Sequence, residues 1–483
     1  MSATSTSAYS RPRLTRDVVS FDHDTDVLVV GLGCAGAAAA IDASRAGARV
    51  TALERAGGAG GTSSMSGGVI YLGGGTGLQK ACGFEDSPED MFKYLMASCG
   101  PYPEEEKIRL YCEHSVEHYD WFVDIGLPFK PVYYPHYSGE PPTDDGLVFS
   151  GSEQAWPYCE IARPAPRGHV SQTTHQTGWL LMQKLGEALD KTDAEVFTDS
   201  RCCSLVIDDD GAIVGAVTVR DGEELTIRAT RGVILATGGF INNKLMLDSY
   251  APMLNRCKFR VGAEGDDGSG IRMGMGVGGA AVNMGMGSIS LPIIPPKSLQ
   301  KGILVNAQGQ RFINEDAYYG ALGEHALFRQ DGKAYLVLDG ETFVRPEVER
   351  EVAGVGETIE ELEGALGMPA GALAATIGVY NRYAENGEDP LYHKRPEWIA
   401  PLRPPYGAYD CTTENSLYAA FTLGGLRTDV DGRVLTADDE VITGLYAAGR
   451  ATACLAAPGY SSGLSIGDGT FFGRRAGRAA AAS

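Results

Sequence analysis

The stretch that most constrains the fold is Asp26–Gly36. Asp26-Val27-Leu28-Val29-Val30 is an apolar run that ends at Gly31. A run of this kind predicts a strand buried on both faces. It leads into Gly31-Leu32-Gly33-Cys34-Ala35-Gly36, followed by four alanines and Ile41. A G-x-G-x-x-G pattern alone says little. Between a buried strand and an alanine-rich helix it has the context of a dinucleotide-binding turn. Gly31 and Gly33 let the backbone approach a pyrophosphate, and Gly36 lets helix and strand pack closely. The helix N-terminus, with Ala35 in its first turn, attracts the negative charge.

A second strand is expected over Ala48–Leu53, ending at Glu54. An acid about 20 residues beyond the glycines is placed to bind ribose hydroxyls, and Arg55 joins it as a candidate. The motif does not separate FAD from NAD. Gly57–Gly68 follows, with Gly61, Thr62, Ser63, Gly67 and Gly68. Little side-chain bulk and many backbone donors suit it to a second phosphate and a flat ring system. The alternative is a flexible linker.

Charge narrows the partners. Sixty-two acids against 41 bases give a formal net charge of −21, which argues against nucleic acid or an anionic membrane. None of the ten cysteines forms a C-x-x-C, which disfavours a zinc ribbon, a dithiol redox pair or c-type haem. The first 20 residues lack an apolar h-region and are expected to form a disordered tail. The apolar run Val27–Ile41 is too short to span a membrane. The expectation is a soluble cytoplasmic protein.

Further along, Ser87-Pro88-Glu89-Asp90 reads as a helix start. One helix is expected over Glu104–Ile125, with His114 and His118 on one face; with no third ligand evident, no metal site is assigned. Tyr133, Tyr134, His136 and Tyr137 form an aromatic loop, either a pocket wall or a packed surface loop. A helix is expected over Ser171–Leu189, then strands over Glu195–Thr198, Cys202–Ile207, Ala212–Val219 and Glu224–Ala229. A further strand, Gly232–Ala236, ends in Thr237-Gly238-Gly239, where the backbone can approach a ligand. Asp266 either faces the cofactor or caps a helix starting near Ser269.

The character changes near Ser288, where Pro292, Pro295 and Pro296 mark a boundary. A hairpin from Gly302, a capping box at Thr358-x-x-Glu361 and a helix over Gly371–Glu385 follow. The expected division is a tail (1–20), a first part of the dinucleotide domain (21–286), an inserted α+β unit (287–412) and the second part of the dinucleotide domain (413–483). Within that last part, Leu445–Gly449 is a strand ending in glycine, and a helix begins near Ser465.

These pieces resemble the flavoprotein family of fumarate reductases, succinate dehydrogenase flavoprotein subunits and 3-ketosteroid dehydrogenases. The matching residues are Gly31-x-Gly33-x-x-Gly36 with Glu54, Gly61-Thr62-Ser63 with Gly67-Gly68, and Ala236-Thr237-Gly238-Gly239. Arg311-Phe312-x-Asn314-Glu315, Leu423-Gly424-Gly425 and Leu445-Tyr446-Ala447-Ala448-Gly449 also match, in family order, from about residue 25 to the end. The resemblance implies an α/β fold: a Rossmann-like FAD-binding domain with an inserted α+β capping domain. It implies one FAD per chain, non-covalent because no histidine follows Glu54 where some members attach it. It adds Asp266, Gly449, Arg450, Gly463, Leu464 and Ser465 to the candidate cofactor contacts. Many members have Gly-Glu where this chain has Gly449-Arg450, so the contact made by that acid does not carry over.

Fumarate reductases grip two carboxylates with basic groups. Here no basic residue lies between Leu455 and Asp468, and the segment offers Tyr460 and Ser462. Tyr460-Ser461-Ser462-Gly463 is similar to the Δ4-(5α) type of 3-ketosteroid dehydrogenase. The family's Asn-Glu-x-x-x-Tyr pattern falls on Tyr319; Tyr318 is one short in spacing. Desaturation beside a ketone removes an α proton and a β hydride, so the developing enolate needs a donor. The resemblance implies Tyr460 at the carbonyl, Ser462 taking the proton from carbon 4 with Tyr319 relaying it, and flavin N5 receiving the 5α hydride. A neutral steroid is the implied substrate, with an unidentified electron acceptor. The alternatives are a Δ1-dehydrogenase, a reductase or desaturase of another fused-ring ketone, an NAD-binding dehydrogenase, and a non-catalytic flavin-binding redox sensor.

Overall fold

In the computed structural model, residues 11–136, 141–456 and 459–483 are described. Residues 1–10 of the expected tail, Tyr137 of the aromatic loop, and Ala457-Pro458 lie outside them. The central sheet is built on His23–Val30, which pairs in parallel with Val50–Leu53 on one side and Glu223–Leu235 on the other. Val27, Leu28 and Val29 are fully buried, as their unbroken apolar run requires. Glu195–Phe197 extends the sheet beyond Val50–Leu53, again in parallel.

Glu223–Leu235 is one 13-residue strand where the sequence suggested two. A register shift between Ala229 and Gly232 bends it, and a bulge of this kind lets a strand change partners. Its first half pairs antiparallel with Ile213–Arg220, and its last residues pair in parallel with Val441–Ala447. One strand thereby joins the meander to the nucleotide sheet.

Three other expectations are corrected. Residues 11–20 are not a frayed tail: Arg13–Leu14 pairs in parallel with Val206–Ile207, and Arg13 bonds Glu224. The helix expected over Glu104–Ile125 is two, Glu105–Glu113 and Ser115–Asp124, broken at His114. The break lets fully buried Ser115 accept the Gly73 amide at 2.9 Å. It also separates the histidines: His118 is buried against Thr470, while His114 faces Glu117. The helix expected from Ser171 begins only at Gly178, because His175 and Gln176 take positive φ.

A four-stranded antiparallel sheet is formed by Ile303–Asn306, Ala334–Asp339, Tyr406–Asp410 and Val352–Gly356. Its strands alternate. Ile303, Val305 and Val337 pack beneath the helices Ile359–Ala365 and Ala372–Ala384, whereas Leu304, Leu336 and Leu338 join a second cluster with Ile289 and Leu322. Thr358 caps its helix through the Glu361 amide at 3.2 Å; Glu361 reaches back to the Glu357 amide, one residue short of a full capping box.

Two features fix this framework. The first helix, Cys34–Arg45, packs on the C-terminal helix, Leu464–Ala482, at glycines. A Cβ at Gly473 would lie 2.4 Å from the Ala35 carbonyl oxygen, and one at Gly477 would lie 2.2 Å from that of Ala39. Buried Asp42 accepts from Arg474 at 3.0 Å and Arg478 at 2.8 Å across the same interface. The second feature is a buried ionic cluster in the sequence motif around Arg311. Arg311 donates to Glu315 at 2.8 Å and meets Asp389 at 2.7 Å, and Lys394 meets Glu315 at 3.0 Å.

Burial pushes the Glu315 carboxyl up, but Arg311 and Lys394 more than offset this and hold it below the ordinary value. Its stabilising contribution is therefore present above about pH 4 and lost as pH falls further. Glu315→Gln leaves two buried cations short of a partner and is expected to cost about 3–5 kcal/mol. Calorimetry checks this as a lowered melting temperature that converges with wild type in acid.

Candidate active site

A cavity of about 760 Å³ runs from the Gly31 turn to the tyrosines near the C-terminal helix. The chain reaches it at turns. Gly31 has φ +96°, and a Cβ there would meet the Ala236 carbonyl oxygen at 2.6 Å, so only glycine fits the crossing of strand and turn. Gly33 caps the first helix, and the Cys34 amide of its first turn is held by Ser63 Oγ at 3.1 Å. Glu54 accepts the Leu32 amide and the Ala56 amide, each at 2.9 Å, so the acid is fixed at the end of its strand.

Of the cofactor candidates, Gly31, Gly33, Ala35, Glu54, Arg55, Gly61, Thr62, Ser63, Gly67 and Gly68 line the cavity. So do Ala236, Thr237, Gly238, Asp266, Gly449, Arg450, Gly463 and Ser465. Gly36 and Leu464 stand off the wall. Gly36 serves packing, since a Cβ there would fall 1.9 Å from the Gly31 carbonyl oxygen. Leu464 turns into an apolar cluster with Tyr71, Tyr94 and Phe471.

Asp266 resolves its two sequence readings in favour of the cavity. It accepts Thr62 Oγ1 at 2.8 Å, the Gly239 amide at 3.1 Å and Arg450 at 2.5 Å; it is Asp267 that bonds the Ser269 amide. The basic residue that replaces the family's acid is thus neutralised in place. The other cations of the wall are paired as well: Arg55 meets Asp267 at 2.8 Å and Arg201 meets it at 3.8 Å.

The residues fit a bound dinucleotide. Thr237 Oγ1 and Arg450 Nη1 are buried polar atoms without a protein partner on side chains of this wall. Each such atom costs about 1–3 kcal/mol unless a ligand satisfies it. Glycine at the Gly31, Gly67, Gly238 and Gly449 turns keeps the backbone open to one.

At the other end the wall is hydroxyl and aromatic. Ser462 Oγ lies 2.7 Å from the Tyr318 hydroxyl and 2.9 Å from the Tyr319 hydroxyl. Gly463, not Ser462, is the cap residue of the C-terminal helix, and it makes no side-chain cap bond. The serine hydroxyl is therefore left to the phenols. Tyr460 stands edge-on to Phe421 at 5.2 Å, and its oxygen accepts the Ser465 amide at 3.2 Å. Burial pushes the Tyr460 phenol up, partly offset by hydrogen bonding from the Ser465 side chain and then from its N–H.

Sequence spacing picked Tyr319 and passed over Tyr318, yet both reach the serine. Tyr318 precedes the helix Tyr319–Glu324, and the extended turn there brings the two rings side by side at 4.3 Å. Phe259, Phe421, Ser288 and Ser290 also line this end and carry no local signal. The segment Ser150–Glu153 was missed too. Ser150 O accepts the Ser462 amide at 2.9 Å and Ser152 Oγ accepts the Tyr318 amide at 3.0 Å.

Comparison with known proteins places this geometry. The family described as FAD binding domain matches residues 26–465. The crystal structure of a 3-ketosteroid Δ4-(5α)-dehydrogenase from Rhodococcus jostii RHA1, in complex with 4-androstene-3,17-dione, is 46% identical. It superposes with a TM-score of 0.93 over 98% of this chain and 99% of that one. A 3-oxo-5-alpha-steroid 4-dehydrogenase of Comamonas testosteroni is 29% identical over 90% of this chain and 94% of its own length. A 3-oxosteroid 1-dehydrogenase of Mycobacterium tuberculosis is 27% identical over 93% of this chain and 97% of its own length.

Gly238 gives a direct test of the cavity. It has φ +78°, and a Cβ there would lie 2.2 Å from Asp266 Oδ1. Gly238→Ala is expected to keep its circular-dichroism spectrum and lose most of its dinucleotide, measured as chromophore released per protein on denaturation.

Proposed function

The chain belongs to the FAD binding domain family, and from that premise we propose that it is an FAD-dependent 3-ketosteroid Δ4-(5α)-dehydrogenase. It introduces the carbon 4–carbon 5 double bond into 3-keto-5α-steroids. The observation that carries this reading is Ser462 held by phenol hydroxyls at 2.7 and 2.9 Å on the wall shared with Tyr460. The likeness to a steroid-bound relative at 46% identity supports the substrate class.

The residues divide the work. Tyr460 donates its O–H to the ketone oxygen. Its own oxygen already takes the Ser465 N–H, which polarises the phenol and leaves its proton for the substrate. As carbon 4 loses a proton, charge grows on the ketone oxygen, and the Tyr460 bond strengthens there; one such donor contributes about 10²–10³ in rate. Ser462 takes the carbon 4 proton and Tyr319 passes a proton onward. FAD, when bound, supplies the two-electron acceptor for the hydride leaving carbon 5.

The wall explains the choice of a neutral ketone. Phe259, Val261, Phe421 and Tyr460 give an apolar flank. The wall cations Arg55, Arg201 and Arg450 are already held by acids. A dicarboxylate there would give up its hydration without a free cation in exchange.

The same reading divides the chain into an FAD domain, 21–286 with 413–483, and a capping unit, 287–412. In its support, all four strands of the antiparallel sheet fall inside 287–412. The reading also places the protein in the cytoplasm and leaves its electron acceptor to be found. No helix among the described residues is long and apolar enough to cross a membrane.

The test is anaerobic mixing with 5α-androstane-3,17-dione while flavin absorbance is followed. Bleaching with a 4-ene-3-one product is expected. Bleaching only by 4-androstene-3,17-dione would instead make it a Δ1-dehydrogenase. Tyr460→Phe should lower the reduction rate by about 10²–10³. Because burial raises the Tyr460 phenol, the protonated donor persists through neutral and mildly alkaline solution. The wild-type rate is expected to hold to about pH 10, the ordinary phenol value, and fall only above it.

A further inference from the structure

We infer that Tyr318 is a positioning residue for the proton-removing step: its phenol sets the direction of the Ser462 hydroxyl, while Tyr319 alone carries the proton out. The inference rests on the function proposed above and goes beyond it, since that reading needs only one tyrosine beside the serine.

The argument begins with valence. A serine hydroxyl has one proton and two lone pairs. If both phenols donated to Ser462 Oγ, both lone pairs would be filled and no site would remain for a proton from carbon 4. If one phenol donates and the other accepts, one lone pair stays open to the substrate. Two contacts of 2.7 and 2.9 Å therefore work as a base only when the two tyrosines play opposite parts.

Burial decides which is which. Tyr318 is 2% exposed, whereas Tyr319 is only partly buried. The tyrosine that hands a proton to water must be the one that water reaches. So Tyr318 donates into one lone pair of Ser462, and Ser462 donates its own proton to Tyr319. In the reaction the carbon 4–hydrogen bond breaks and its proton bonds to the open lone pair of Ser462. The original serine proton moves to Tyr319, whose own proton goes to water. The carbon 4 electron pair becomes the new double bond as carbon 5 loses its hydride, with its electron pair, to FAD.

Tyr318 is held for this part. Its amide donates to Ser152 Oγ at 3.0 Å, and the Ser462 amide donates to Ser150 O at 2.9 Å, so one short segment grips both members of the pair. Tyr94 ties the same segment to Ser461, accepting from the Ser152 amide at 2.8 Å and lying 2.9 Å from Ser461 Oγ. Gly320 makes room for the ring: a Cβ there would fall 2.3 Å from Tyr318 Cε1. Without the Tyr318 hydroxyl, Ser462 is free to rotate and point its proton at carbon 4.

The test uses the FAD-loaded full chain and anaerobic reduction by 5α-androstane-3,17-dione, with and without deuterium at carbon 4. Tyr318→Phe is expected to lower the limiting reduction rate by about 10- to 100-fold, less than the 10²–10⁴ of a full acid–base group. Its steroid dissociation constant should stay within about twofold and its carbon 4 isotope effect should rise, as expected when proton removal becomes more rate-limiting. Tyr319→Phe should lose more. A Tyr318→Phe enzyme with the wild-type limiting rate, or one that loses only steroid affinity or FAD, would overturn the inference. So would a larger loss at Tyr318 than at Tyr319. Full activity in Ser462→Ala would instead sink the proposed function, and this inference with it.

Discussion

The structure depends on how closely its first and last helices approach. At Gly473 and Gly477 the C-terminal helix meets the carbonyl oxygens of Ala35 and Ala39 at distances that leave no room for a side chain. Asp42 holds the pair together from within, bound to Arg474 and Arg478. Everything at the site follows from that contact. The first helix presents its N-terminus to the cavity behind Gly33, and the last helix presents its own behind Gly463. Two helix N-termini then face one cavity, each with amides unsatisfied within the helix and a partial positive charge. Tyr460 and Ser462 lie just before the second of them.

The tyrosine end works without ionic groups. Its cluster consists of hydroxyls whose only variable is which oxygen donates to which. Such a cluster is sensitive to geometry, because a hydrogen bond weakens steeply with angle. That explains why the surroundings are built from backbone bonds to Ser150 and Ser152, from the Tyr94–Ser461 contact and from a glycine beside the Tyr318 ring. Charge is kept at the nucleotide end, where Asp266 and Arg450 settle each other at 2.5 Å.

The nucleotide half was legible because its signals are local. A strand, a glycine turn and a helix within twenty residues declare themselves by pattern, and Glu54 follows at a fixed distance. Tyr460 and Ser462 were legible for a similar reason, two residues apart at the start of a helix. What stayed hidden depends on contacts between distant segments. Nothing near Phe259 or Phe421 in the chain says that they share a wall. Ser150–Ser152 carries no motif, and its part comes only from meeting residues 318 and 462. Tyr318 was passed over because spacing along the chain does not report that an extended residue before a helix turns its ring the same way as its neighbour. The break at His114 was hidden because the apolar periodicity continues across it; only the burial of Ser115 shows why the backbone turns. Arg13–Leu14 is too short a strand to stand out in a polar segment.

The cavity wall draws on residues from Val30 to Ile466, and Asp42 and Arg474 stand 432 positions apart. A ribosome therefore releases the Gly31 turn long before Gly449 and Gly463 exist to close it. The wall is complete only when the last helix is in place, and a chain cut short before that helix carries an open cradle.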